Sequence, residues 1–239
     1  MEHGIVLKPE VLGYIGFLPV TNTLLVSWIV MFILLVVSIF ATWRLKLVPS
    51  GLQNFMEMII EGGYNIVSDI AGNRTKVFFP FVFTFFLYII FANWIGLLPG
   101  FTTITFHGEP ILRSMSSDLN MTLGLALLSA VVTHIFAIKY LGLWDYLKRW
   151  VSFNPIFLFV GVLEIVAEFT KLLSLSFRLF GNIFAGEVVL ATIAGIFAFV
   201  LPLPFYFLEI VVGFVQAAVF MMLTLVFMVL LTEKHEAEH

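Results

Sequence analysis

The sequence predicts an all-α polytopic membrane protein, with about five membrane-crossing helices and one amphipathic helix lying at the surface. Three observations carry that class. The 239 residues are 61% hydrophobic and only 11% charged, whereas a soluble domain is about half apolar and a quarter charged. Mean hydropathy is +1.09. Several stretches without a charge reach the roughly 20 apolar residues that a hydrocarbon core requires, and none shows the alternating pattern of a membrane barrel.

Each element follows from local composition. Residues 1–23 read as an external N-terminal segment; 1–10 lack the basic start and early apolar core of a cleaved leader. The first span is expected over 24–43. The connector 45–76 carries a mixed segment, 52–70, which predicts an amphipathic surface helix. The second span covers 77–98. The stretch 99–118, rich in Thr, Gly and Pro, reads as an external loop. The third span is 119–138, with Asn120 and His134 inside it. A connector over 139–155 carries Trp144, Tyr146 and Trp150 as interfacial anchors. A long tract over 156–200 contains Glu164, Glu168, Lys171, Arg178 and Glu187. Pro202 and Pro204 mark a turn, the last span runs 203–231, and 232–239 forms a tail. All of it reads as a single membrane domain.

Composition also excludes functions. There is no Cys, hence no disulfide and no thiolate metal site. No basic patch suits nucleic acid, and no phosphate loop marks a nucleotide site. No cofactor is expected, and no metal site. Basic residues orient the chain by the positive-inside rule. Arg44, Lys46, Arg74 and Lys76 fall in the first connector, and Lys139, Lys148 and Arg149 in the third, against Lys8 and Arg113 standing alone on the other side. The expected N-terminus is therefore outside and the C-terminus cytoplasmic.

Arg178 is the most informative residue. An Arg at the centre of a bilayer costs from about 2.5 to about 17 kcal/mol, and it cannot shed its charge as Lys can. At about 100° per residue, Glu164, Glu168, Lys171, Arg178 and Asn182 share a helical stripe about 80° wide, with Ser174 at its edge. Glu187 falls on another face. Such a stripe must meet protein or water, not lipid. The tract of roughly 45 residues would span about 68 Å, over twice the hydrocarbon thickness. It either breaks, at Gly181, Gly186 or Gly195, or tilts strongly. Glu209 and Gln216, seven apart, share a face of the last span, and a hairpin would set them against the Arg178 helix. Intramembrane ionisable groups mark ion paths, which makes Glu187 and Glu209 candidate proton relays. No acid in the chain is clearly poised to pair with Arg178, so its partner carboxylate is expected on another subunit.

Three motifs carry a resemblance. Leu172-Leu173-Ser174-Leu175-Ser176-Phe177-Arg178-Leu179-Phe180-Gly181-Asn182 followed by Ala185-Gly186-Glu187, then Gln216-Ala217 with Phe220-Met221, and Phe91-Ala92-Asn93-Trp94-Ile95-Gly96-Leu97-Leu98-Pro99, resemble the signatures of subunit a of bacterial F-type ATP synthases. Length, span number and motif order agree over most of the chain.

The resemblance implies a stator, itself not an enzyme, beside a rotating ring of c subunits that each bear a membrane carboxylate. Protons would reach the ring through two offset half-channels, with Arg178 separating them. Asn182, Glu187, Glu209 and Gln216 would line the outer route. Glu164, Glu168 and Ser174 would border the inner one. Asn93 and His134 are further candidates for the outer route, and Lys171 belongs to the stripe. The last two helices would form a long tilted hairpin. Partners would be the c-ring, the subunit b peripheral stalk and the remaining ATP synthase subunits, in a bacterial plasma membrane. The chain departs from the family pattern at Glu209, where some members carry His, and at Gly96, where some carry an acid.

Plainer alternatives stand beside these expectations. Arg178 would be a structural cation if it paired with Glu187 or with backbone carbonyls. Glu164, Glu168 and Lys171 also fit a helix salt-bridge cluster, and Glu187 with Glu209 a buried carboxyl pair. An independent secondary transporter or cation channel would place Arg178 at a midplane site. The terminal His235-Glu236-Ala237-Glu238-His239 matches a zinc-peptidase pattern, but at the chain end it reads as a solvated tail. His107 reads as a loop residue.

Overall fold

Apolar runs free of turn residues become helices, because in lipid every backbone N–H and C=O must be satisfied within its own segment. The computed structural model describes residues 9–43, 46–49, 51–98, 101, 105–106, 109–150, 155–196 and 200–233. The helices are α1 (Asn22–Thr42), α2 (Leu52–Ala71), α3 (Thr75–Gly96), α4 (Leu119–Leu141), α5 (Leu143–Trp150), α6 (Pro155–Ile196) and α7 (Leu203–Thr232). Among the described residues, five helical stretches are long and apolar enough to cross a membrane; one of them covers α2, a short turn and α3. The chain is thus an all-α polytopic membrane protein.

Helix ends follow local chemistry. Thr21 caps α1 through its side-chain oxygen, which accepts from the Leu24 N–H at 3.2 Å. Asp118 caps α4 by accepting from the Asn120 N–H at 2.9 Å. Gly72, at φ +52°, ends α2 and opens the short turn Gly72–Arg74 that leads into α3. Gly142, at φ +84°, ends α4.

Some expectations need correcting. The N-terminal segment contains strands β1 (Val11–Ile15) and β2 (Leu18–Thr21), an antiparallel hairpin turned at Gly16. The loop before α4 holds a minimal second pair, β3 (Thr105–Phe106) and β4 (Glu109–Pro110). Gly181, Gly186 and Gly195 do not break α6, which is one helix of 42 residues, about 63 Å long. It is too long to stand upright within a hydrocarbon core. Lys8, Arg44, His107, the segment 151–154 and the terminal histidine-containing tail lie outside the described residues.

The helices pack around α3, α4 and α7, with α6 against both α4 and α7. One core joins Val67 of α2 to Phe78 and Phe83 of α3, Phe136 of α4, and Leu225 and Met228 of α7. A second joins Ile89, Ala126, Leu179, Ile183, Ala217 and Phe220 across α3, α4, α6 and α7. Hydroxyl pairs tie the helices: Thr122 to Ser176 at 3.0 Å and Ser129 to Thr224 at 2.8 Å. At one end of the bundle the Thr23 hydroxyl donates to Asp118 at 2.9 Å. At the other end Arg74 donates to Thr232 at 2.6 Å and lies 5.2 Å over the Tyr140 ring. The starts of α1 and α4 therefore share one end, and the ends of α4 and α7 share the opposite one.

Gly63 lets α2 approach α3, since a Cβ there would sit inside the Phe83 ring. Gly63→Val is expected to destabilise the protein by about 1–3 kcal/mol, read as an earlier thermal unfolding transition in detergent. An unchanged transition would show that α2 does not pack there.

Candidate functional site

Arg178 lies near the middle of α6 with its side chain exposed. Its guanidinium makes one long contact, 3.5 Å to the Ser174 hydroxyl one turn earlier. No carboxylate among the described residues pairs with it. Lys171, Ser174 and Arg178 line a groove of about 440 Å³ between α6 and α7, walled by Leu163, Leu223 and Phe227. Ser174 and Asn182, one turn to either side, are exposed on the same face. A Cβ at Gly181 would meet open space, so nothing bulky flanks the guanidinium there. The polar stripe expected from the sequence therefore turns outward in its central part, with its cation uncompensated within the described residues.

A polar cluster forms toward the α6–α7 turn. Glu209 on α7 is buried. It seats its carboxyl group where a side chain at 186 would be, because a Cβ on Gly186 would overlap it. Glu187, half-buried on the next position of α6, lies beside the Ser117 side chain and in the field of Arg113 and Glu209. Asn93 on α3 donates to the Gly213 carbonyl of α7 at 3.2 Å and accepts from the Ser116 hydroxyl at 2.6 Å. Beside it, the Trp94 indole donates to the Ile210 carbonyl at 3.1 Å. These bonds clamp the stretch of α7 that carries Glu209. Gly96 packs against Ser114: a Cβ there would stand 2.8 Å from the Ser114 Cβ.

A second group gathers toward the start of α6. The Lys171 ammonium donates to Glu168 at 2.6 Å and lies 4.7 Å over the Phe227 ring. Glu164 is half-buried one turn earlier. His134 on α4 shares a 3.0 Å hydrogen bond with Tyr146 of α5 and lies in the field of Glu168 and Lys171. It therefore sits with this group and not beside Asn93. Glu168 and Lys171 do form the i,i+3 pair of the plainer alternative.

The polar groups fall in order along α6. Arg178 is nine residues from Glu187, roughly 13.5 Å, and ten from Glu168, roughly 15 Å. Those separations remove Glu187 as an ion-pair partner of Arg178. From the Gly186–Glu209 contact, antiparallel register sets Gln216 at the height of Leu179, and Leu179 and Ala217 share one core. Gln216 is buried, and no hydrogen bond joins its amide to another described residue. Two sets of proton-carrying or water-binding side chains thus approach one exposed cation from opposite directions.

Arg113, Ser116, Ser117 and Trp94 were not anticipated as site residues. The three serines just before α4, Ser114, Ser116 and Ser117, are the available signal in the sequence, and all three are buried.

A family model described as ATP synthase A chain matches residues 24–229. ATP synthase subunit a of Geobacter sp. strain M21 is 37% identical over 223 residues, covering 91% of each chain. The subunit a of Citrifermentans bemidjiense is 36% identical over the same shares. That of Geotalea daltonii is 38% identical over 205 residues, 84% of this chain and 83% of its own.

Proposed function

The chain belongs to the ATP synthase A chain family, and from that premise we propose that it is the proton-conducting stator of a rotary ATP synthase. Its Arg178 faces the carboxylates of a rotating c-ring. The observation that carries the proposal is the exposed, carboxylate-free guanidinium of Arg178 between two separate polar groups. A permanent charge in a membrane helix needs a counter-charge, and here the open face of α6 directs it to a neighbouring subunit.

The outer half-channel runs through Glu187 and Glu209 to Asn182 and Gln216, with Asn93 holding α7 in register. The inner one starts at Ser174 and the groove beneath Arg178 and passes Lys171, Glu168 and Glu164, with His134 on its flank. A proton from outside reaches a ring carboxylate through the first route. The neutral acid can then face lipid. After nearly a full turn it loses the proton into the second route. Arg178 pairs with the ionised carboxylate and denies the proton a direct passage. Each charge crossing 100 mV releases about 2.3 kcal/mol, so several are needed for each ATP made elsewhere in the complex.

Basic connectors support an external N-terminus and a cytoplasmic C-terminus in a bacterial plasma membrane. The subunit b stalk and the remaining ATP synthase subunits complete the assembly. The chain contributes no catalytic group.

Cysteine crosslinking tests the placement. The chain has no Cys of its own, so Ser174→Cys creates a unique thiol on the Arg178 face. It is expected to form a disulfide with a cysteine placed beside the membrane carboxylate of a small ring subunit. Absence of crosslinking there and at Asn182→Cys, with the complex assembled, would favour a transporter that works alone.

A further inference from the structure

Arg113 and Ser117 stand at the α6–α7 end of the bundle and have no part in the route above. Arg113 donates from Nε to the Ser117 hydroxyl at 3.1 Å and from Nη2 to the Ser117 carbonyl at 3.5 Å. The Ser117 hydroxyl donates to the Ser114 carbonyl at 2.9 Å and stands beside the Glu187 carboxyl group. A hydroxyl has one proton and two lone pairs. With its proton on Ser114 and one lone pair on Arg113, it can accept from a protonated Glu187. Once Glu187 ionises, the same hydroxyl can rotate its proton onto the carboxylate. The segment itself is held by Ser116 on Asn93 at 2.6 Å and by Asp118 on Thr23 at 2.9 Å.

We propose, resting on the function above, that Arg113 and Ser117 are positioning residues for the first proton acceptor of the outer route. Arg113 anchors the Ser117 hydroxyl against Glu187 and supplies the positive field that returns Glu187 to its ionised form after each transfer. A proton from outer water binds a Glu187 carboxylate oxygen and passes to Glu209 and then to the ring. Arg113 keeps its own protons, and Ser117 gains none overall. Among the described residues, the charged groups facing Glu187 are Arg113 from the loop and Glu209 from α7, and Arg178 is roughly 13.5 Å away along the same helix.

The test uses membrane vesicles holding the complete ATP synthase. Synthesis is driven at fixed potential and fixed inner pH while outer pH is varied. Removing a positive charge beside an acid favours the protonated acid. Arg113→Gln should therefore raise the outer pH of half-maximal synthesis by about one unit, and Arg113→Lys should largely restore it. Ser117→Ala, which loosens Arg113 from its anchor, should move the midpoint the same way by less, and it decides alone if Arg113→Gln does not assemble. A purely structural role would lower the rate at every outer pH without moving the midpoint, and unmoved midpoints overturn the proposal. Arg178→Ala in the same vesicles separates the two ideas: its loss of synthesis upholds the stator function whatever Arg113 does, and its normal synthesis removes that function.

Discussion

Arg178→Ala abolishes proton-driven ATP synthesis, with a loss of at least about a hundredfold, or about 2.7 kcal/mol, while the complex still assembles. The guanidinium is exposed on α6 and carries no core contact, so folding does not depend on it. Its one hydrogen bond among the described residues is the long one to Ser174. Without it, an ionised ring carboxylate at the stator has no counter-charge, and the two polar groups are no longer divided by a fixed cation. Passive proton leak through the membrane sector should rise in the same variant. Arg178→Lys is expected to fail as well, because an ammonium is a compact, strongly hydrated charge that can lose its proton, whereas guanidinium stays charged. Synthesis rates in assembled vesicles, together with dye-reported proton leak, measure both effects. Normal synthesis in the alanine variant would remove Arg178 from the mechanism.

Gly186 gives the second large effect. A methyl group there overlaps the Glu209 carboxyl group on all three of its terminal atoms, and α7 cannot simply recede, because Asn93 and Trp94 bond the carbonyls of Gly213 and Ile210. The carboxyl group must leave its place beside Glu187. Misplacing a transferring group by about 1 Å can cost up to a hundredfold in rate, so Gly186→Ala should slow synthesis on the order of tenfold or more. Gly186→Leu should abolish it. Glu209→Asp withdraws the carboxyl group by one methylene, and adding it to Gly186→Ala should recover part of the rate. Wild-type rates in Gly186→Ala would mean that Glu209 does not work from this seat.

Arg178 was legible because a charge in an apolar tract violates the composition around it. The stripe of Ser174, Arg178 and Asn182 was legible because helical period is a property of one segment. The three motifs led to the family for the same reason: each is contiguous. His134 lies fourteen residues along α4 from Asn120, roughly 21 Å, which puts it at the opposite end of that helix. Gly186 was read as a possible break. A glycine within a helix marks either a weak point or a close approach, and only the partner tells which. Here the partner is Glu209, twenty-three residues later on another helix. Arg113 and Ser117 passed as ordinary loop residues, since nothing local says which helix a loop hydroxyl faces.

By itself the sequence determined the membrane class, the number of crossings and the helix that carries the cation, because hydropathy, length and period are summed within one segment. Only the tertiary structure decided that α6 runs unbroken, that its cation faces outward, and that Glu187 meets Arg113 and Ser117 while Glu209 fills the notch of Gly186. Those contacts depend on the rotation and register of helices against one another. They are set by the packing of side chains distant in the chain, which no single stretch of sequence contains.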